Sequence, residues 1–144
     1  MSSRMISRVG DIVLLAFDVG ERRIGVARAV VPPRIAEGLI TLTNDASLPQ
    51  ALTALYARTQ PETVVVGRPR NQAGEMTAQT RAVERWVNQF LVPLKVPIVW
   101  QDESLTSVQA EQYLGVGHRA FTKADVDKKA AELILSDYLE TLTV

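Results

Sequence analysis

The run Ile12-Val13-Leu14-Leu15-Ala16-Phe17 limits more than any other stretch what this chain can become. It is unbroken, apolar and rich in branched side chains, which suits a central strand buried on both faces. It ends on a carboxylate, Asp18, with Gly20 one step past Val19. An acid at the mouth of a buried strand is costly unless a cation meets it. Taken alone, Asp18 reads as a turn acid capping the reversal from Val19 to Arg23. It gains chemical meaning only where other acids reach the same place.

The following residues supply the rest of a sheet. Gly20–Arg23 is a turn, and Ile24–Val30 alternates well enough for a second strand, making an antiparallel hairpin with the first. Gly25 lies inside that strand, where a glycine marks close approach of another backbone or a ligand. Pro32-Pro33 interrupts the pattern, and Gly38–Leu42 is a short third strand. Leu48, Leu52, Leu55 and Tyr56 recur at helical spacing with Pro49 near the first turn. Thr63–Gly67 reads as an interior strand, Arg68–Gly74 as a loop, and Val83, Trp86, Val87 and Phe90 as one side of a helix. Val96–Trp100 is a last strand, leading into Gln101–Thr106. Thr106 with Gln109 is a capping box for a short helix ended by Gly115–Gly117. Thr122 with Asp125 caps a final helix to about Leu142, with Val126, Ala130, Leu133 and Ile134 on its apolar stripe.

The order β-β-β-α-β-α-β-α-α predicts an α/β fold. Its mixed sheet has three antiparallel strands and then two parallel strands, with helices on both faces. Linker composition and internal repeats are absent, so 1–144 reads as a single domain with 1–10 as a loose N-terminal tail.

Cysteine is absent and His118 is the lone histidine, which excludes disulfides, thiolate metal sites and histidine-rich zinc sites. A metal here would be held by oxygen, which favours magnesium or manganese. Sixteen basic and sixteen acidic residues give a formal net charge of +0, so no global field draws the chain to nucleic acid. The placement of charges must decide. No segment is long enough to span a membrane, and Asp11 and Asp18 bracket the first apolar run too tightly for a signal peptide. The expected compartment is the cytoplasm.

In open sheets with parallel strands, chemistry collects at the carboxyl ends of those strands. Asp18 ends the first, Asp102 and Glu103 follow the fifth, and Asp127 lies in the first turn of the last helix, leaning toward the sheet. Each has an ordinary explanation: a solvated turn pair for Asp102–Glu103, a helix-dipole acid for Asp127. Together they suit two divalent cations about 3.5–4 Å apart, which activate water and stabilise the leaving oxygen in phosphodiester hydrolysis. Basic and polar side chains around the acids are candidate nucleic-acid contacts: Arg22 and Arg23, Arg68, Arg70 and Asn71, and Arg119, Lys123, Lys128 and Lys129. Trp86 sits on a helical core stripe. Trp100 closes a strand beside the acids, where base stacking is the alternative to packing. His118, a lone loop histidine, is given no chemical role.

Four segments together resemble the YqgF/RuvX family: FDVGERRIGVA (Phe17–Ala27), VVVGRPRNQAGE (Val64–Glu75), DESLTSVQAE (Asp102–Glu111) and VDKKAAELIL (Val126–Leu135). They stand in family order over nearly the whole chain. The resemblance implies a ribonuclease-H-like fold and a metal-dependent nuclease, with Asp18, Glu103 and Asp127 as catalytic, metal-binding carboxylates and two Mg2+ or Mn2+ ions. Asp102 and Asp125 are nearby acids outside that set. It further implies 5'-end processing of pre-16S rRNA in ribosome biogenesis. The alternatives are a Holliday junction resolvase of DNA recombination and repair, or a non-catalytic nucleic-acid-binding module. The loop His118–Lys123 is less basic than is usual in the family. The implied partner is nucleic acid, either an rRNA precursor or branched or single-stranded DNA, with no membrane. The protein would be a monomer or a homodimer, and a symmetric resolvase requires the dimer.

Overall fold

The computed structural model of the chain describes residues 11–103 and 122–142. Five strands form one sheet: β1 (Ile12–Val19), β2 (Arg23–Val31), β3 (Ile35–Thr43), β4 (Thr63–Pro69) and β5 (Ile98–Glu103). Among the described residues three α-helices accompany it: α1 (Leu48–Thr59), α2 (Ala78–Phe90) and α3 (Lys123–Thr141). The spatial order is β3-β2-β1-β4-β5, with β1 central. β1 pairs antiparallel with β2 and β2 with β3, while β4 runs parallel to both β1 and β5. This is the mixed sheet expected from the order of elements.

Strand alternation divides the core into two unlike halves. On one face Leu15, Phe17, Ile24, Val26, Val64 and Val66 pack under α1, through Leu48, Leu52 and Leu55, and under α2, through Val83, Trp86 and Val87. Trp86 is core, 6.3 Å from the Phe17 ring and 5.4 Å from Phe90, centroid to centroid. On the other face Leu14, Ala16, Ala27, Ala29 and Val65 meet Ala131, Ile134, Leu135 and Leu139 of α3. Phe17 is fully buried, which stabilises the fold by about 1.5–3 kcal/mol. With Phe17 committed to the α1/α2 side, its neighbour Asp18 must point to the α3 side.

The α3 face is floored by small residues, so the helix backbone comes close. A Cβ built on Gly25 would stand 1.9 Å from the Asp127 carbonyl oxygen, and one on Gly67 2.5 Å from Ile134 Cδ1. The strand glycine at 25 thus marks a backbone approach, as its position in the sequence suggests.

Two of the three described helix starts are capped by side chains. The Thr122 hydroxyl accepts from Asp125 N–H at 3.1 Å and the Asp125 carboxylate accepts from Thr122 N–H at 3.0 Å, the box expected from those two residues. At α2, Thr77 and Thr80 form the same reciprocal arrangement. The Thr80 hydroxyl also donates to the Pro69 carbonyl at 2.5 Å, tying α2 to the end of β4.

Several boundaries differ from the sequence reading. β1 runs past Phe17 to Val19, so Asp18 is a strand residue, and β2 opens at Arg23, which belongs to the strand and not the turn. β3 begins at Ile35 rather than Gly38, because the Pro32-Pro33 turn returns the chain directly into pairing with β2. β4 runs on to Pro69, so Arg68 belongs to a strand and not a loop. β5 spans Ile98–Glu103 instead of Val96–Trp100. Its pairing with β4 continues through Arg68↔Asp102 and Pro69↔Glu103, and the two acids are strand residues, not a turn. The N-terminal tail and the short helix expected at Thr106–Gly115 lie outside the described residues.

Candidate active site

Asp18 sits at the carboxyl end of β1, half-buried, opposite Gly25 of β2 in the pairing register. Asp127 stands over Gly25 from the first turns of α3. The glycine is the reason the two acids share one place: any side chain there would push α3 away. Burial, and after it the negative charge of Asp127, push the Asp18 carboxyl up to about 6.

Asp127 has its own counter-ion. Arg23 Nε donates to Asp127 Oδ2 at 2.6 Å, with the arginine side chain 36% exposed and the acid 17% exposed. The cation that an acid at the end of β1 calls for therefore meets the neighbouring acid.

The two acids at the end of β5 go to opposite faces. Glu103 is in register with Pro69, and its parity along β5 matches Val99 and Gln101, partners of Val65 and Gly67 on the α3 side. Asp102 shares parity with Ile98 and Trp100, which pack on the α1/α2 core. There it accepts from Arg68 Nε at 2.9 Å and Arg70 Nε at 3.4 Å. The Arg68 hydrogen bond comes first among the causes that hold the Asp102 carboxyl below its ordinary range. Asp18, Asp127 and Glu103 thus lie on the α3 side, with Asp102 on the reverse.

Glu103 is nonetheless two strands away from Asp18, about 10 Å by ordinary strand spacing. Among the described residues, no three acidic or histidine side chains stand close enough together to hold a metal ion.

The basic candidates fall into distinct environments. Arg22 is exposed on the β1–β2 turn and Lys123 exposed at the start of α3. Arg23 is engaged by Asp127, and Lys128 lies 3.7 Å from Asp125. Lys129 pairs with Glu132 within α3. Arg68 is held by Asp102, stands 3.6 Å from Glu84, and lays its guanidinium 5.1 Å from the centre of the Trp100 ring. Trp100 is therefore covered by an arginine on the face away from Asp18. Asn71 closes its own loop: its Oδ1 accepts from Ala73 and Glu75 N–H, and its Nδ2 donates to Glu75 at 3.0 Å. Arg119 and His118 lie outside the described residues.

Asn44 contributes too, although nothing in its sequence context singles it out. Its Nδ2 donates to the carbonyls of Gly20 and Glu21, each at 3.1 Å, and its Oδ1 accepts from Trp86 Nε1 at 3.4 Å. It thereby clamps the turn that separates Asp18 from Arg23. Beside it a cleft of about 660 Å3, lined by Val19, Gly20, Asn44, Arg85 and Trp86 among others, opens at the same end of the sheet.

A mixed sheet of this order, with Asp18 at the carboxyl end of its central strand, is a RuvC-like fold. T. thermophilus RuvC, solved in complex with a Holliday junction substrate, superposes with a TM-score of 0.58 at 14% identity, covering 90% of this chain and 95% of that one. The fowlpox virus Holliday junction resolvase gives 0.55 at 12% identity, covering 92% of this chain and 100% of that one.

The family model described as "RuvX: Holliday junction resolvase" matches residues 12–141, and the chain belongs to that family. A Chloroflexus aggregans protein is 43% identical over 92% of this chain and 96% of its own length. One from Chloroflexus aurantiacus is 41% identical over 92% and 89%, and one from Caldanaerobacter subterraneus 35% over 89% and 96%. All three bear the name "Putative pre-16S rRNA nuclease".

Proposed function

We propose that this protein is a divalent-metal-dependent nuclease that hydrolyses phosphodiester bonds in the 5'-end processing of pre-16S rRNA. One observation carries the chemical part of this reading. Asp18 and Asp127 are held beside each other over a glycine, and burial first, then the negative charge of Asp127, raises Asp18 to about 6. A pair of carboxylates pressed together in a partly buried place gains from a shared cation. The donors are all oxygen, which fits Mg2+ or Mn2+.

Asp18, Asp127 and Glu103 would hold the metal. Because these three do not stand together around one point, they would hold two ions rather than one. Bound there, the ions supply an activated water and charge stabilisation at the leaving oxygen. The protein's own part is to hold the acids on one face and to keep Asp102 off it. Arg22 and Lys123, exposed at the rim, are the candidates for contacts to substrate phosphates. Pre-16S rRNA as substrate rests on the names of the relatives. Such a role is cytoplasmic, and no helix among the described residues is long and apolar enough to cross a membrane.

The second reading, resolution of branched DNA, is favoured by the family description and by the junction-bound RuvC fold. It requires a homodimer for symmetric cutting. The two are separated by cleavage of a 16S rRNA precursor fragment, single-stranded DNA and a four-way DNA junction, each with Mg2+, Mn2+ and chelator. Metal-dependent cutting of the RNA, lost in Asp127→Asn, is the expected result. Preferential cutting of the junction would replace the RNA reading, and binding without cutting under every ion would leave a nucleic-acid-binding module.

A further inference from the structure

Arg23 and a metal ion make competing claims on the same carboxylate. The guanidinium stands 2.6 Å from Asp127 Oδ2, close enough for a strong charge-assisted hydrogen bond. Asp127 has further lone pairs, so the competition is electrostatic: a fixed positive charge beside the site opposes a second one. Arg23 is also the more exposed partner, 36% against 17%, and so faces the rim where a phosphate would arrive. Its position leaves it two possible anions, Asp127 from within and a substrate phosphate from without. Both suit the planar guanidinium fork.

We propose that Arg23 is an exchangeable counter-ion: it neutralises Asp127 in the metal-free protein and passes to a substrate phosphate, so that nucleic acid and divalent cation bind cooperatively through it. The proposal rests on Asp127 being a metal ligand. When Arg23 turns outward to a phosphate, its positive charge no longer offsets that of Asp127 and the cation binds more tightly. Linkage makes the effect reciprocal, and the cation raises affinity for nucleic acid by the same factor. The consequence is a nuclease that loads its metal fully only on substrate.

The test is Mn2+ binding, followed by the electron paramagnetic resonance of the free ion, in wild type, Arg23→Gln, Arg23→Lys and Asp127→Asn. Each is measured with and without a single-stranded RNA oligonucleotide carrying a non-hydrolysable backbone. Without RNA, Arg23→Gln is expected to bind Mn2+ about tenfold more tightly than wild type, a change of about 1.4 kcal/mol. Arg23→Lys, which keeps the charge but not the fork, is expected to fall between them. Adding RNA should tighten Mn2+ binding in wild type and leave it unchanged in Arg23→Gln. Equal or weaker Mn2+ binding by both Arg23 variants would overturn the proposal. If Asp127→Asn still loses the ion, the metal reading survives that failure. Wild-type Mn2+ binding in Asp127→Asn would instead remove the metal reading, and the proposal with it. Should Arg23→Gln fail to fold, the lysine variant alone decides by the same comparison.

Discussion

Gly25 and Asp127 are in direct backbone apposition: a Cβ on the glycine would stand 1.9 Å from the Asp127 carbonyl oxygen and 3.2 Å from its Cα. Because Gly25 is also the register partner of Asp18, one missing side chain sets the distance between two acids on different elements.

Gly25→Ala is therefore expected to cost about 2 kcal/mol or more, the scale of overpacking where backbone must move. Nuclease activity should fall further than stability explains, because α3 carries Asp127 outward. Thermal denaturation together with cleavage assays at a temperature where the variant is fully folded would separate the two effects. A variant with wild-type stability would show that α3 does not pack as described.

The burial of Asp18 beside Asp127 has a pH signature in the metal-free protein. Its folded-state value is raised from 3.8 to about 6. Between these values the unfolded chain has released the proton while the folded protein keeps it, so stability falls as pH rises. Below about pH 4 the effect is absent, and above about pH 6 the loss is complete, at about 2–3 kcal/mol. Asp18→Asn should abolish cleavage while removing this slope, leaving a variant more stable than wild type at neutral pH. Denaturant unfolding in chelator across that pH range gives the comparison, and parallel wild-type and variant curves would contradict it.

Adjacent acids should behave oppositely. Glu103→Gln is expected to lower the cleavage rate by more than the about hundredfold that a lost supporting group costs a metal site. Asp102→Asn removes partners of Arg68 and Arg70 that are half exposed, a loss of no more than about 1 kcal/mol of stability. Its cleavage rate should stay near that of wild type. If Asp102→Asn were the inactive one, the facing of β5 would be wrong.

Thr80 is fully buried and serves two groups, accepting from Thr77 N–H at 2.9 Å and donating to the Pro69 carbonyl. Thr80→Val keeps the shape and orphans both, which should cost about 1–3 kcal/mol of unfolding free energy. Loss of the link between α2 and the end of β4 should appear as faster amide exchange in the Asn71–Thr77 segment.

Much of this protein is legible in its residues taken one stretch at a time. The apolar run ending at Asp18, the β-branched run at Thr63–Val66 and the helical stripe from Leu48 to Tyr56 carry their elements in local periodicity, which needs no partner to be read. The Thr122–Asp125 box is equally local, since a helix start is satisfied by its own first turn. What local pattern cannot carry is facing and partnership. Asp102 and Glu103 are consecutive acids, and only the extension of β5 along β4 turns them to opposite sides of the sheet. Arg68, Arg70 and Arg23 are alike as cations in a sequence. Tertiary packing gives the first two to Asp102 and the third to Asp127, because an ion pair depends on which elements a sheet brings together and not on spacing along the chain. The meeting of Asp18 and Asp127, 109 positions apart in the chain, was decided only when α3 settled on Gly25, where the absence of a side chain lets two backbones touch.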